Sequence, residues 1–377
     1  MKKPIKKILI VNQNSGYLTI DVANTFLKEY NEVVLMYGLN KVTERPLDSR
    51  VKVHNTIVYN RTTVLTRLWT WGICTIHLSF LLAWKYRGFN VLYYTNPPLS
   101  YFNALLFSNP FSVVVFDTYP NALQLIGIKP HTLIYKIWKL INRSVFPKAQ
   151  KIITLSQGMK EQLLDYVHHD KVKVVSIWPG SDKFMPIPKP QNSFLKEHEW
   201  EDKFIVLYSG NIGIGHQLEI LIEVADQLQC DDKILFLFIG EGAKKSLLQR
   251  LVKERGLINV KFLTWQAADI LPYSLAAADI AVVALEPEAT HASLPSKTLN
   301  YLAVGAPLLA IGSSGSELEY LINQNRIGFY SKNGKTEEIL NYIKTILANS
   351  SKKAELSANA FQISKQYNYL QSLEYLF

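Results

Sequence analysis

Three continuous apolar runs in the second half of the chain each end in a turn of glycine or polar residues, and they constrain the fold more than any other feature. FIVLYS covers 204–209, ILFLFIG covers 234–240 and IAVVAL covers 280–285. Runs of this length, rich in β-branched and aromatic residues, are typical of strands buried on both faces of a parallel sheet. Because segments of helix length separate them, this half of the chain is predicted to be an α/β domain.

The first half of the chain has the same alternation of strand-like and helix-like segments. Its strand-like runs cover 7–13, 32–38, 91–96, 111–117 and 151–156. Between the halves, residues 184–195 read FMPIPKPQNSFL, with three prolines in five positions, which is typical of a linker. We therefore predict two doubly wound, Rossmann-like α/β domains that face a central cleft.

Composition excludes several classes of protein. The chain has 377 residues, 48% of them hydrophobic, as expected for a globular protein with room for two domains. Its two cysteines, Cys74 and Cys230, lack metal-ligand spacing, so neither a disulfide framework nor a zinc site is expected. The N-terminal lysines run directly into a strand-like ILIV, and we therefore expect no secretion signal and a cytoplasmic location.

Positive charge is concentrated in the first half. Residues 1–185 hold 23 Lys and Arg against 10 Asp and Glu, whereas residues 186–377 hold 18 against 21. Such an excess indicates either an anionic partner or a solvated basic surface. Because no zinc-finger spacing, RNP-like motif or dense basic run is present, an anionic membrane surface or lipid phosphate is favoured over nucleic acid.

Two segments of the first half could contact a membrane. Residues 68–84 contain no charge, but as a helix they would span only about 25 Å, less than a hydrocarbon core of about 30 Å. We expect a buried helix there, with an interfacial helix as the alternative. Residues 131–149 have the spacing of a basic amphipathic helix, which could either lie on an anionic bilayer or form a solvated face.

The second half contains candidate anion sites at the predicted carboxyl ends of its strands. The turn at 210–215 precedes an apparent helix that starts at His216, and Gly240-Glu241-Gly242 precedes another helix. Free backbone amides at a helix start attract anions, and ligands collect along this edge of a parallel sheet. Ordinary helix starts also contain glycine, so each turn taken alone is weak evidence.

Two further positions could complete a nucleotide site. Trp265 and Gln266 follow a strand-like run and could cover and hydrogen-bond a nucleobase, although a packed tryptophan is common. Pro295 suits the first turn of a helix, so Ser296 and Lys297 are expected at its start. A lysine there opposes the helix dipole, and a bound diphosphate would relieve that penalty.

Four motifs in this order carry a family resemblance: ITLSQGMKEQL at 153–163, YSGNIG at 208–213, IGEG at 239–242 and LPSKTLNYLAVGAP at 294–307. The chain resembles retaining glycosyltransferases of family four, in particular the bacterial exopolysaccharide, O-antigen and colanic-acid-type group. The resemblance covers about residues 90–345.

The resemblance implies a GT-B fold with an acceptor-binding domain at 1–185 and a nucleotide-sugar-binding domain at 186–352. It also implies that a helix at 353–377 crosses back to the first domain, where Tyr367, Leu370, Leu373, Tyr375 and Leu376 offer an apolar face. No metal and no cofactor are expected, since the nucleotide-sugar is a co-substrate. Transfer with retention would use the departing diphosphate to take up the proton of the acceptor.

Residue roles follow the same resemblance. Asp117 and Lys297 are the expected catalytic residues, although an aspartate after a strand also often caps a turn. Two departures weaken the match: Asn300 stands where many members have a glutamate that holds the ribose, and His216 stands near a usual basic position. The expected donor-binding residues are Gly210, Asn211, Gly213, Gly240, Glu241, Gly242, Trp265, Gln266, Glu286, Glu288, Ser296, Lys297 and Asn300.

The predicted function is therefore a metal-independent glycosyltransferase in surface polysaccharide biosynthesis. It would move a sugar, with UDP as the favoured nucleotide, to a lipid-linked or saccharide acceptor. It would work in the cytoplasm, at the inner face of the cell membrane if it binds lipid. The alternatives are a nucleotide-sugar epimerase of the same fold and a catalytically inactive donor-binding subunit.

Overall fold

The computed structural model describes residues 5–40, 45–60, 62–213, 216–285 and 294–377, without the side chains of residues 125 and 126. The chain forms two compact units. Unit 1 comprises Met1–Gly180 and Tyr369–Phe377, and unit 2 comprises Ser181–Asn368.

Unit 1 is built on a sheet of seven parallel strands in the order β5-β3-β1-β6-β7-β8-β9, and a separate parallel pair joins β2 to β4. The chain runs outward from β1 in one direction and then restarts at β6 in the other, so the strand order reverses between these two neighbours. The strands are β1 (Lys7–Val11), β2 (Asn14–Ser15), β3 (Glu32–Tyr37), β4 (Leu39–Asn40), β5 (Lys52–Asn55), β6 (Asn90–Tyr94), β7 (Phe111–Val115), β8 (Ile152–Thr154) and β9 (Val172–Val174).

The helices of unit 1 cover both faces of this sheet. The connections from β5 to β6, β6 to β7 and β7 to β8 all step in one direction across the sheet, opposite to the step from β1 to β3. Because parallel crossovers are right-handed, the first three connections lie on one face and α1 lies on the other. The helices are α1 (Tyr17–Phe26), α2 (Val64–Ala83), α3 (Leu133–Val145) and α4 (Gln157–Leu163), with 3-10 turns at Ser100–Leu105, Asn121–Ile126, Phe146–Lys148, His169–Lys171 and Tyr369–Tyr375.

Unit 2 is built on six parallel strands in the order β12-β11-β10-β13-β14-β15. This order is that of a Rossmann-type sheet, with the reversal between β10 and β13. The strands are β10 (Phe204–Ser209), β11 (Ile234–Ile239), β12 (Val260–Leu263), β13 (Ile280–Ala284), β14 (Leu308–Gly312) and β15 (Gly328–Lys332).

Eight helices and a 3-10 turn at Lys189–Gln191 surround the unit 2 sheet within the described residues. The helices are α5 (Ser193–His198), α6 (Glu219–Gln227), α7 (Lys245–Glu254), α8 (Leu271–Ala276), α9 (Ser296–Ala303), α10 (Glu317–Asn325), α11 (Thr336–Ala348) and α12 (Ser350–Ser364). In β10, β11, β13 and β14 every residue is buried. This confirms the expectation that the apolar runs are strands covered on both faces.

Two predicted boundaries differ from the structure. The helix expected from His216 begins at Glu219, because the His216 ring hydrogen-bonds the backbone carbonyl of Ala284 (3.0 Å) and holds that residue outside the helix. The strand-like run expected to reach Gln266 ends at Leu263, whose carbonyl accepts the last ladder bond, from Gly240 N–H at 3.0 Å.

The division of the chain also differs in detail from the expected domains at 1–185, 186–352 and 353–377. The first unit ends at Gly180, and α12 belongs to unit 2. The segment that returns to unit 1 is Tyr369–Phe377, where Tyr375 is buried against Trp178 and the Ser372 hydroxyl lies 2.6 Å from that of Thr25. Leu370 and Leu373 of the expected apolar face are exposed.

Helix α2 is not the buried helix that its uncharged sequence predicts. Only Thr70, Trp71, Cys74, Leu78 and Leu82 are buried along its twenty residues. Of the described residues, no helix combines the length and the apolarity that crossing a membrane requires. An uncharged helix with one buried face exposes the rest of its apolar surface.

Candidate functional site

The first candidate site lies at the carboxyl end of the unit 2 sheet, beside the reversal between β10 and β13. The turn after β10 and the turn after β11 are joined by their backbones: Gly210 N–H donates to the Ile239 carbonyl and Ile212 N–H to the Glu241 carbonyl, both at 2.9 Å. Such a reversal leaves a crevice at the sheet edge where ligands of α/β proteins bind.

Gly240 and Gly242 are required because the backbones of the two turns pack directly against each other. A β-carbon on Gly240 would lie 2.0 Å from the Gly210 carbonyl oxygen, and one on Gly242 would lie 2.2 Å from the Ile212 carbonyl oxygen. Both glycines also have positive φ, 139° and 157°, which side chains disfavour. Gly240 and Gly242 thus have a packing role in this turn, and their predicted part in donor binding stays a prediction.

Gly210 faces Lys297 of helix α9. A β-carbon at Gly210 would lie 2.4 Å from Lys297 Nζ, so the missing side chain leaves room for the lysine. The ammonium sits 4.0 Å from the centre of the Tyr208 ring. It is buried and has no hydrogen-bond partner in the part of the chain that the structure describes.

Burial has a large effect on this lysine, lowering the pKa of Lys297 from 10.5 to about 8. A buried ammonium without an acceptor is costly, and the face of one aromatic ring offsets that cost only in part. The charge is therefore poised to gain free energy from an anion that enters beside it.

Two tyrosines, Tyr208 and Tyr301, hold this arrangement, and neither is among the predicted site residues. The Tyr301 hydroxyl accepts from Ser209 N–H at 2.7 Å and donates to the Ser209 carbonyl at 3.2 Å, so α9 is tied to the end of β10. Tyr208, the ring below Lys297, donates to the Asn211 carbonyl at 2.6 Å. Their positions on a strand and a helix give no sequence signal, because core tyrosines are common.

Helix α9 begins at Ser296 after Pro295, as predicted, and no side chain caps it. Ser296 is exposed. Farther along the helix, the Thr298 hydroxyl and the Asn300 side-chain oxygen are buried and have no hydrogen-bond partner among the described residues. The start of α9 thus brings together uncapped amides, Lys297 and an amide side chain.

The other cations near the turns are already paired. Lys244 donates to the His216 carbonyl and the Glu219 carboxylate, each at 2.8 Å. Lys245 forms a 2.7 Å ion pair with Glu241, whose side chain is about half exposed. Among these lysines, Lys297 alone lacks an acceptor within the described residues.

The remaining predicted donor residues have mixed positions. A β-carbon on Gly213 would lie 2.9 Å from Asn211 Nδ2. Trp265 is 55% exposed, so it is not a packed core tryptophan, and its Cη2 atom would lie 3.5 Å from a β-carbon on Gly240. Gln266 donates to the Thr264 carbonyl (3.0 Å). Glu286 and Glu288 lie outside the described residues.

The second candidate site is a cavity of about 220 Å³ in unit 1. It lies at the carboxyl ends of β1, β6 and β7, beside the strand reversal of that sheet. The lining residues are Asn14, Tyr59, Trp71, Thr95, Asn96, Pro98, Asp117 and Tyr119. The cavity is thus polar at the strand ends and aromatic on the side of α2.

Asp117 is the only acid among these lining residues. The Thr95 hydroxyl accepts hydrogen bonds from Phe116 N–H (3.0 Å) and Asp117 N–H (3.2 Å), which fixes the backbone of the aspartate. Its carboxylate is accessible to solvent and forms no hydrogen bond or ion pair within the described ranges. The protein around this concave site raises the pKa of Asp117 by desolvation.

Aromatic and orphaned polar groups surround the aspartate. Tyr59 stacks on Trp71 with ring centres 6.0 Å apart, and Tyr119 meets the edge of Trp71 at 6.1 Å. Trp71 Nε1 and the Asn96 side-chain oxygen are buried without a hydrogen-bond partner in the described chain. Aromatic rings beside unsatisfied donors and acceptors suit a ligand with several hydroxyl groups.

One group of side chains in the described residues has the proximity of metal ligands: His168, His169 and Asp170. All three are exposed neighbours on the surface of unit 1, and none lines the cavity that holds Asp117.

Comparisons with known proteins agree with this geometry. Residues 191–363 match the family described as "Glycosyl transferases group 1". The chain is 25% identical to the probable glycosyltransferase WbjE of Pseudomonas aeruginosa over 330 residues, covering 84% of this chain and 82% of the relative. It is 40% identical to the putative colanic acid biosynthesis glycosyl transferase WcaI of Escherichia coli K12 over 182 residues, 48% of this chain and 44% of the relative.

The structural comparison covers both units. The crystal structure of Anabaena HepE in complex with UDP and glucose matches 98% of each chain with a TM-score of 0.70 and 15% identity. The chain has a GT-B fold. In this GT-B chain, the matched family segment contains every described donor-site residue from Gly210 to Asn300, whereas Asp117 lies outside that segment.

Proposed function

We propose that this GT-B protein is a glycosyltransferase that moves a sugar from a nucleotide-sugar to a hydroxyl acceptor. The observation that carries the proposal is the buried, unpaired ammonium of Lys297 beside the start of α9 and the Gly210 turn. A diphosphate supplies the acceptor oxygens that this ammonium lacks. UDP is the favoured nucleotide, since HepE was crystallised with UDP and glucose.

Each part of the donor site would have its own task. Lys297 and the amides of α9 neutralise the diphosphate, Asn300 offers its side-chain oxygen to a ribose hydroxyl, and Trp265 covers the base from its exposed position. Gly210, Asn211 and Gly213 shape the phosphate approach, and Ser296 donates to the phosphate. Gly240, Glu241, Gly242 and Gln266 line the second turn and the adjacent loop, and Glu286 and Glu288 remain sequence predictions for the sugar hydroxyls.

The acceptor would bind in the unit 1 cavity. Its rings and orphaned polar atoms suit a sugar, and Asp117 would accept a hydrogen bond from the attacking hydroxyl. The acceptor is a saccharide or a lipid-linked saccharide, and the colanic acid role in the name of WcaI supports a place in surface polysaccharide biosynthesis.

The transfer itself would retain the anomeric configuration. The acceptor oxygen forms a bond to the anomeric carbon on the face from which the diphosphate departs, the bond from that carbon to the phosphate oxygen breaks, and the acceptor proton passes to the departing diphosphate. The cationic charge of Lys297 stabilises that leaving group, so the proposal needs no metal ion. The protein contributes position and charge stabilisation.

We further propose a location at the inner face of the cell membrane, where a lipid-linked acceptor is available. The basic excess of the first 185 residues supports this placement.

Thermal unfolding in the presence of UDP-, GDP- and dTDP-sugars tests the donor half of the proposal. The matching donor should raise the midpoint temperature of wild type and leave that of Lys297→Ala unchanged. Incubation with the radiolabelled donor and a membrane extract tests the transfer: label in lipid or saccharide supports it. A new free nucleotide-sugar would indicate an epimerase, and binding without either product would indicate an inactive donor-binding subunit.

A further inference from the structure

Helix α2 has an inner face in the core of unit 1 and an outer apolar face that no described residue covers. Its outward residues recur at helical spacing and have high exposed fractions: Leu65 79%, Trp69 69%, Ile76 59%, Phe80 71% and Trp84, directly after the helix, 91%. Five large apolar side chains in one exposed stripe are unusual for a solvated helix, since contiguous apolar patches mark interaction surfaces.

Helix α3 also has one buried face and one exposed apolar strip. It buries an aromatic face, Tyr135 and Trp138, and leaves an aliphatic face outside. The exposed residues are Leu133, Ile137 and Leu140, with fractions of 72%, 46% and 59%. An aliphatic strip of this amphipathic helix is therefore left outside the core of unit 1.

The two helices pack against one shared turn of unit 1. Both helices belong to connections on the same face of the sheet. The 3-10 turn Ser100–Leu105 packs against both helices. The Ser79 hydroxyl of α2 donates to Asn103 at 2.7 Å, and Trp138 of α3 donates to the Tyr101 hydroxyl at 2.7 Å. We call the exposed set the α2–α3 surface: Leu65, Trp69, Ile76, Phe80, Trp84, Leu133, Ile137 and Leu140.

The charge of the surrounding sequence has a single sign. Residues 51–150 contain one acid, Asp117, which lies in the cavity. They contain ten basic residues: Lys52, Arg61, Arg67, Lys85, Arg87, Lys129, Lys136, Lys139, Arg143 and Lys148. An apolar surface in such a segment matches an anionic bilayer, whereas two copies of the same basic surface would repel each other.

We propose that the α2–α3 surface inserts into the interface of an anionic lipid bilayer. Trp69, Phe80 and Trp84 enter at headgroup level, where aromatic rings are favoured, and the basic residues bind lipid phosphates. This inference names the surface behind the membrane location in the proposed function and rests on that function only for the identity of the acceptor.

The unit 1 cavity lies beside the inner sides of these helices, so membrane docking would bring it close to a lipid-linked acceptor. Trp71 faces the cavity from α2, two residues after Trp69 on the outward face. Tyr119 also lines the cavity and stacks on Trp138 of α3 at 5.3 Å. The inner face of α2 therefore lines the proposed acceptor cavity, and the inner face of α3 contacts one of its lining residues. Docking of both helices would place the cavity near the headgroups that carry a lipid-linked saccharide.

Flotation with lipid vesicles tests the proposal directly. Wild type should float with vesicles of phosphatidylcholine containing about a third phosphatidylglycerol and bind less to phosphatidylcholine alone. The double variant Phe80→Glu with Trp84→Glu should bind at least about tenfold more weakly. The matched control Ile258→Glu changes an equally exposed residue of unit 2 and should bind as wild type does.

A second pair of variants separates charge from apolar contact. Lys136→Glu with Arg143→Glu should lose most of the preference for phosphatidylglycerol, whereas Lys261→Glu in unit 2 should keep it. Undiminished flotation of the Phe80 and Trp84 double variant would overturn the proposal. So would a lipid-free dimer that this double variant converts to a monomer, because the surface would then join two copies.

The test is independent of transfer chemistry. The thermal shift produced by the nucleotide-sugar should be the same in wild type and in the Phe80 and Trp84 double variant, which also reports that the variant is folded. Loss of flotation with an intact donor shift supports the membrane surface. If wild type floats with the vesicles but no nucleotide-sugar raises its midpoint temperature, the proposed function is contradicted and the membrane surface is still supported.

Discussion

Lys297 Nζ lies 4.0 Å from the centre of the Tyr208 ring and faces Gly210, whose missing β-carbon leaves the room that the ammonium occupies. A strand residue, a turn glycine and a helix residue thus fix the position of the Lys297 ammonium. Because no described oxygen accepts from it, the free protein bears the cost of a buried charge that a phosphate would relieve.

Replacing this charge should exchange activity for stability. Lys297→Met keeps the length of the side chain and removes the ammonium, so we expect loss of transfer together with a rise in the free energy of unfolding of about 2–3 kcal/mol at neutral pH. The folded pKa is about 8 and the ordinary value 10.5, so the gain should be complete below pH 8 and vanish towards pH 10.5. Denaturant unfolding at several pH values measures it, and a less stable variant would contradict this account.

Donor affinity should depend on pH through the same group. The anion binds the protonated lysine, and binding raises its pKa, so affinity should be constant below pH 8 and fall by up to about tenfold per unit above it. Calorimetric titration with UDP across this range measures the slope. Lys297→Met is the matched control, because its residual affinity should not change with pH; equal slopes would remove Lys297 from the site.

Asp117→Asn should slow transfer to the acceptor without changing donor binding. The amide keeps the shape of the carboxylate but lacks its charge, which strengthens the hydrogen bond from the acceptor hydroxyl, so transfer should slow by about 10-fold to 10²-fold. The thermal shift caused by the donor should stay as in wild type, since Asp117 lies in unit 1. Asp170→Asn, on the surface of the same unit, should transfer at the normal rate; wild-type turnover of Asp117→Asn would end its assigned role.

Gly240→Ala should destabilise unit 2. Its new methyl group would meet the Gly210 carbonyl oxygen at 2.0 Å and would also strain a positive φ, at a cost of about 2 kcal/mol or more. Gly72→Ala in α2 is the control, because its new β-carbon would meet no other part of the structure within 4 Å, and it should stabilise the helix by about 0.5–1 kcal/mol. Thermal unfolding of both variants checks the contrast.

The α/β character of both halves could be predicted from the sequence because buried parallel strands are continuous apolar runs. The runs at 204–209 and 280–285 contain β10 and β13, and Pro295 places the start of α9 correctly. Local chemistry decides such features: chain stiffness, apolar content and the fixed φ of proline act over a few residues.

Other features depended on which groups meet across the fold. Tyr208 and Lys297 are 89 positions apart, and only the pairing of β10 with β13 and the packing of α9 bring the ring below the ammonium. Helix α6 begins at Glu219 and not at the predicted His216, because the His216 ring hydrogen-bonds the Ala284 carbonyl. This is another long-range contact.

The helices of unit 1 show the same division. The sequence by itself determined that α2 is uncharged and that α3 is amphipathic and basic. Only the tertiary structure decided that α2 buries Trp71 and exposes Trp69, Phe80 and Trp84, and that α3 buries its aromatic side instead of its aliphatic side. The reason is physical: burial is set by the area that a neighbouring element can cover, and periodicity alone does not specify which face that neighbour meets.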